Sequence, residues 1–186
     1  MIPARCIRLI GITVFTVAWV NLFSLSAAGG DVVLSAQEWF DKGRLMGEIG
    51  NYHKAVEAFS RVIEMSPNSA HAYNNRGVAQ SELGNYRPAI QDFNRAVSLK
   101  PREALFRFNR GIAFAREEEL EFAMTDFARV VEIDPKHAAA RFFLGIIQRG
   151  MPGGEAYKGT DNIKVSAQMG NQEAREYLRS RFMGWY

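Results

Sequence analysis

Residues 70–103 read AHAYNNRGVAQSELGNYRPAIQDFNRAVSLKPRE, and the organisation of the chain follows from how this stretch divides. Its first part, AHAYNNRGVAQSEL from Ala70, and its second, YRPAIQDFNRAVSL from Tyr86, both space apolar residues three and four apart, as one face of an α-helix does. The Gly84-Asn85 pair between them has turn chemistry. Pro101, just past the second part, ends a helix because proline lacks the N–H that the next hydrogen bond needs. The stretch therefore predicts two amphipathic helices joined by a short turn.

The 34-residue step of this unit recurs on both sides of it: Pro67, Pro101 and Pro135 keep it, as do Gly43, Gly77, Gly111 and Gly145. Three more series follow the same period: Ala55, Ala89 and Ala123; Phe59, Phe93 and Phe127; Tyr52, Tyr86 and Leu120. Repeats thus cover 36–69, 70–103 and 104–137. The small residues let the two helices of a unit approach closely, and the aromatics fill the space that remains. Gly50-Asn51 supplies the turn of the first unit. Glu118-Glu119 stands in its place in the third, so that turn forms without glycine at a modest conformational cost. The surrounding acidic run, Glu117 to Glu121, reads as a solvated outer face.

In this order, the bulky residue Trp39, Gly43, Gly50, Tyr52, Ala55, Phe59 and Pro67 resemble the tetratricopeptide repeat family. So do Tyr73, Gly77, Gly84, Tyr86, Ala89, Phe93, Ala96 and Pro101, and then Gly111, Phe114, Ala123, Phe127 and Pro135. The resemblance implies an all-α fold: a right-handed superhelix of stacked antiparallel helix pairs, an α-solenoid of about three and a half units. Lys42, Arg76 and Arg110 occupy a place where the family usually has leucine. Their stems are expected to lie across the helix with the charge in water.

Residues 138–149 read as the first helix of a fourth unit, with Leu144-Gly145 in the family places. No second helix of that type is expected after it, because Gly150, Pro152, Gly153 and Gly154 mark a loop over 150–161. Residues 162–186 then offer two capping helices around Gly170-Asn171, and Ala167, Gly170, Ala174 and Leu178 resemble the Sel1-like repeat. A cap is physically required, since a last repeat otherwise leaves an apolar face in water. Met169, Tyr177, Leu178, Phe182 and Trp185 can supply it; the alternative is a free aromatic tail of Phe182, Trp185 and Tyr186.

At the other end, Arg5 and Arg8 precede the uncharged run LIGITVFTVAWV from Leu9, which leads into small residues ending at Gly30. Residues 1–30 read as an apolar N-terminal helix, either a cleaved signal peptide, with Ser26 and Ala28 before a cut at Gly29, or an anchor long enough to cross ~30 Å of hydrocarbon. Both readings export the repeats: to the periplasm or outside if the segment is cut, or membrane-anchored outside the cytoplasm if it is not.

Composition narrows the function. With 47% hydrophobic and 23% charged residues the chain is that of a folded domain. The formal charge of +3 includes Arg5 and Arg8, so the remainder is nearly neutral and gives no footprint for nucleic acid. The one cysteine, Cys6, precedes the apolar run, which leaves the repeats without a disulfide, thiolate metal site or cysteine nucleophile. His53, His71 and His137 are never three or four residues apart, so no helical metal pair forms, and His71 alone stands where it could act as acid or base. No catalytic residue, metal or cofactor is expected.

What the resemblance implies instead is a concave groove lined by the second, fifth, ninth and twelfth places of each unit. Phe40, Arg44, His71, Asn74, Val78, Leu105, Phe108, Ile112 and Phe142 are the candidates for a protein or peptide ligand. Asn74 suits a peptide backbone, Arg44 an acidic group, and the later apolar residues apolar side chains. Equally, Phe108, Phe142 and Ile146 can be packing residues or be covered by the C-terminal helices. The acid-binding clamp of some family members is not assembled: Asn75 matches its middle asparagine, but Phe40, Arg44, Leu105 and Asn109 fill the flanking places.

Overall fold

The computed structural model describes residues 34–151 and 156–182. The apolar segment 1–30 and the tail residues Trp185 and Tyr186 lie outside them. Nine helices run through the described residues: α1 (Ala36–Glu48), α2 (Tyr52–Met65), α3 (Ala70–Glu82), α4 (Tyr86–Leu99), α5 (Ala104–Arg116), α6 (Leu120–Ile133), α7 (Ala138–Gly150), α8 (Ala156–Gln168) and α9 (Gln172–Phe182). Each helix packs mainly on its neighbours in the chain, and α1, α3 and α5 also touch in succession, which places the first helices of consecutive units side by side. This is an all-α solenoid.

Local chemistry sets the helix boundaries. Ser35 opens α1 with a reciprocal cap: its hydroxyl accepts from the Glu38 N–H while the Glu38 carboxylate accepts from the Ser35 N–H at 2.8 Å. Those bonds to Ser35 hold the Glu38 carboxyl below its usual pKa. Asn51 and Ser69 cap α2 and α3 in the same sense. Gly84 ends α3 at φ +78° and lets the Asn85 N–H reach back to the Gln80 carbonyl at 2.9 Å. Glu118 makes the same turn at φ +63°, with Glu119 bonded to Phe114 at 2.9 Å. A side chain in that region costs about 1–2 kcal/mol, more than the 0.5–1 kcal/mol of extra entropy that glycine loses on folding. Glu118→Gly is therefore expected to raise the melting temperature by about 1–4 °C in a thermal scan.

Within each unit the glycine series exists for the phenylalanine series. A Cβ built on Gly43, Gly77 or Gly111 would stand 2.7, 2.8 or 2.9 Å from the ring of Phe59, Phe93 or Phe127. Those rings are almost fully buried and lie across bare backbone.

Two sequence expectations are corrected. First, Arg76 and Arg110 do not carry their charge into water. Arg76 donates from Nε and Nη2 to both oxygens of Asp92 at 2.8 and 2.7 Å, and from Nη1 to Ser60 at 3.1 Å, tying α2, α3 and α4 together. Its hydrogen bonds with Asp92 raise its pKa further. One unit on, Arg110 repeats the arrangement with Asp126 at 2.7 Å twice and with Asn94 at 2.7 Å. Asp92 and Asp126 are buried. Lys42 alone behaves as expected, staying exposed with its ammonium 4.3 Å from the centre of the Trp39 ring.

Second, α8 begins at Ala156, inside the stretch read as loop, and it packs on α7 as the second helix of a fourth unit. A Cβ on Gly145 would lie 2.6 Å from the Gly159 carbonyl, so α7 and α8 meet backbone to backbone. The connection 151–155 is two residues longer than the 117–119 turn, which slides the register so that Ile163 takes the position of a repeat phenylalanine against the glycine. α9 then caps the stack through Ala174, Tyr177 and Leu178.

Candidate functional site

The nine predicted groove residues divide into two groups, because the C-terminal helices cover one end of the concave side. Phe142 and Ile146 pack on the cluster of Ile163, Ala167 and Ala174, with the Phe142 ring 6.3 Å from Tyr177 of α9. Phe108 is half-buried among Phe127 at 5.7 Å, His137 at 4.6 Å and Phe143 at 6.1 Å. Ile112 joins the same cluster. Leu105 keeps 48% of its surface exposed and is the one exposed residue among the predicted apolar residues of this end. The fold thus uses most of the apolar end for its own packing.

Polar groups of the middle unit are also partly committed. Asn74 is buried, donating to Asn75 Oδ1 at 3.1 Å and accepting from Asn109 Nδ2 at 2.9 Å. It orients the amides of its neighbours instead of offering its own. Asn75 takes the accessible place and lines the groove, its Oδ1 accepting from Asn74. His71 is exposed, its Nε2 accepting from Lys100 Nζ at 3.0 Å and its ring edge-on to Phe106. Among the described residues no three His, Cys, Asp or Glu side chains gather as a metal set.

What remains open is a cleft of about 500 Å³ between α1 and α3. Phe59 and Ala55 of α2 form its floor, Gly43 and Gly47 the bare backbone of one wall, and Val78 and Ala79 the other. A Cβ on Gly47 would meet nothing within 4 Å, so here the missing side chain leaves room and serves no contact inside the chain. Phe40 meets the Phe59 ring edge-on at 5.6 Å and is not part of the lining. Arg44, Glu48 and Glu82 stand at the rim, with Arg44 Nη2 3.4 Å from Glu48 Oε1. Both partners are exposed, so the pair is worth little to the fold and is free to rearrange.

The structure therefore brings Arg44 and Val78 together on one cleft and packs Phe40 on Phe59 of its lining, commits Asn74, Phe108, Ile112 and Phe142 to contacts inside the chain, and leaves His71 and Leu105 exposed away from the cleft. Sequence reasoning missed Gly47, Tyr52, Asn75 and Glu82 as cleft residues. Gly47 was visible in principle as a glycine inside a helix and outside the repeat series, a place where glycine costs about 1 kcal/mol relative to alanine. A second depression, of about 480 Å³ along α6 and α7, is rimmed by Arg129 and Glu132, which pair with each other.

Comparison with known proteins agrees with this architecture. The family described as Tetratricopeptide repeat matches residues 70–103, and that described as TPR repeat matches residues 43–84. No curated protein matches the sequence as a whole at a significant level. Among solved structures, the crystal structure of MamA superposes with a TM-score of 0.69 at 20% identity, over 76% of this chain and 81% of that one. The Arabidopsis OM64 TPR domain gives 0.61 at 22% identity, over 62% and 96%. The first TPR of Spaghetti (RPAP3), bound to the HSP90 peptide SRMEEVD, gives 0.59 at 26% identity, over 63% and 95%. The fold shared by these chains is a scaffold for protein–protein interaction, and as a rule not a catalytic one.

Proposed function

We propose that this chain, a tetratricopeptide repeat protein, is a non-enzymatic adaptor that holds a segment of a partner protein in the cleft between α1 and α3, outside the cytoplasm. The observation that carries the reading is the one-sided openness of the groove. Its apolar C-terminal end is filled by the chain's own helices, while Gly47, Val78 and Asn75 stand around an open cleft in which the bare backbone of Gly47 serves no internal contact. An extended segment suits it: the Asn75 amide meets a backbone carbonyl and an apolar side chain descends on Phe59. The peptide held by the Spaghetti repeat supports ligand binding as the mode. Its acidic chemistry does not carry over, because Phe40, Arg44, Leu105 and Asn109 fill the flanking clamp places. Export is supported by Arg5 and Arg8 ahead of the uncharged run from Leu9 and the small residues up to Gly30.

A second reading, an accessory subunit held permanently by another surface, draws on Phe122. That side chain is 60% exposed and stacks on Phe114 at 5.3 Å beside Leu120, at the α5–α6 turn. Affinity isolation from the native envelope after mild crosslinking separates the two. Gly47→Leu fills the cleft with an uncharged side chain and leaves the core intact, since nothing lies within 4 Å of the added Cβ. It is expected to weaken capture of the specific partner at least about tenfold, the loss that follows from closing the cleft to an incoming side chain. Phe122→Ser is expected to change nothing. The reverse pattern would favour the accessory subunit. Phe108→Asp is no test of the groove, since Phe108 belongs to the packing of α5 on α6 and α7.

A further inference from the structure

Glu48 and Glu82 are the last residues of α1 and α3, one repeat apart. A helix C-terminus is the negative end of the backbone dipole, so a carboxylate there is repelled by its own helix and a basic residue is what electrostatics favours. The third unit follows that rule with Arg116, whereas the last turns of α1 and α3 contain no base. Both disfavoured carboxylates border the same cleft. Arg44 is the one base on its lining and is already tied to Glu48, while Glu82 has no ion pair among the described residues. Two acids and two helix C-termini against one arginine leave the mouth negative. Beneath it, Tyr52 and Phe59 line the interior, and aromatic faces attract cations.

We infer that the cleft selects partner segments that carry arginine or lysine beside an apolar residue. The aliphatic stem of the basic side chain lies along Val78 and Phe59, and its charged head sits between Glu48 and Glu82. The volume exceeds that of one side chain, so the flanking residue and its backbone enter too. An acidic segment could draw Arg44 from its loose pair with Glu48 but would still face the carboxylates of Glu48 and Glu82. This inference rests on the groove reading proposed above and adds the chemistry of the ligand to it.

Phage-displayed random dodecapeptides selected on the full-length chain test it, with the winners remade as synthetic peptides and titrated against Glu82→Gln, Glu82→Arg and Gly47→Leu proteins. Glu82 is an exposed helix-terminal residue, so neither of its substitutions disturbs the core. The expected winners share a basic residue next to an apolar one. Their affinity falls about tenfold for Glu82→Gln, as for loss of one charge-assisted contact, and further for Glu82→Arg. Winners rich in Asp or Glu, or basic winners that bind the Glu82→Arg protein undiminished, overturn the selectivity for basic segments while the groove reading stands. If nothing is enriched, or binding survives Gly47→Leu, which fills the cleft with an uncharged side chain, both fall together.

Discussion

Replacing Gly145 by alanine is expected to detach the C-terminal helices from the stack before the rest of the chain melts. The added methyl would sit 2.6 Å from the Gly159 carbonyl and 2.7 Å from Ile163 Cγ1, and the first of these is backbone that cannot rotate away. Overpacking of this kind costs typically 1–3 kcal/mol, and a backbone obstacle puts it at the upper end, about 3 kcal/mol. In a solenoid each element is held by its nearest neighbours, so the loss falls on the α7–α8 interface and on α9, which rests on those two helices. Ile163, Ala174 and Phe142 would lose their cover. Hydrogen exchange is expected to show protection lost over 156–182 first, with the main melting temperature lowered by up to about 6–12 °C if the stack melts as a unit. Gly47→Ala is the contrast: with nothing near its Cβ, it is expected to stabilise α1 by up to about 1 kcal/mol. Equal melting for the two variants would contradict the backbone-contact account of α7 and α8.

The second large effect is expected at Asp126. Its carboxylate takes two hydrogen bonds from Arg110 and lies 3.6 Å from Arg107, with side-chain exposures of 2%, 18% and 19% for the three. Asp126→Ala leaves two largely buried guanidinium groups without a counter-charge, at a cost of about 3–5 kcal/mol. The double change Arg110→Leu with Asp126→Leu removes charge and counter-charge together and is expected to recover most of that loss, because a buried ion pair is seldom better than well-packed apolar residues. The fourth unit already carries the apolar solution, with Leu144 at the place of Arg110. Denaturant titration of the two variants decides: a single change as mild as the double would mean that the pair is not desolvated as the geometry shows.

These ion pairs show where the sequence stopped being legible. The 34-residue period revealed the helix pairs, and the Glu118 turn was foreseen from the missing glycine. The arginines were read as snorkelling because their place was compared with the family's leucine and not with the residue they face. The register was available: each repeat glycine meets the phenylalanine 16 positions on, and the same offset takes Arg76 to Asp92 and Arg110 to Asp126 but takes Lys42 to Ala58. The lysine stays in water for that reason. At the C-terminal end the two extra residues before α8 broke the period, and the Gly-Pro-Gly-Gly surroundings concealed a helix that the strict step would have started at residue 154.

The groove was legible by place and not by exposure. The family positions pointed to the side formed by α1, α3 and α5, yet whether Phe108 or Phe142 faces a ligand depends on where α8 and α9 come to rest, and no local pattern encodes that. Val78 and Phe142 occupy the same side of the solenoid with opposite fates: one 37% exposed on the cleft, the other under Tyr177. Gly47 and Glu82 escaped notice because each looks like a defect, a glycine inside a helix and an acid at the wrong helix end. Such local violations are where a binding site is expected to interrupt the logic of stability.

The central claim, that the α1–α3 cleft is the surface that holds the partner, is tested most directly by photocrosslinking in the native cell. A benzophenone side chain is introduced at Val78 in one strain and at Phe122 in another. The account predicts a discrete crosslinked partner from position 78 and none from position 122. Adducts from position 122 alone would contradict it.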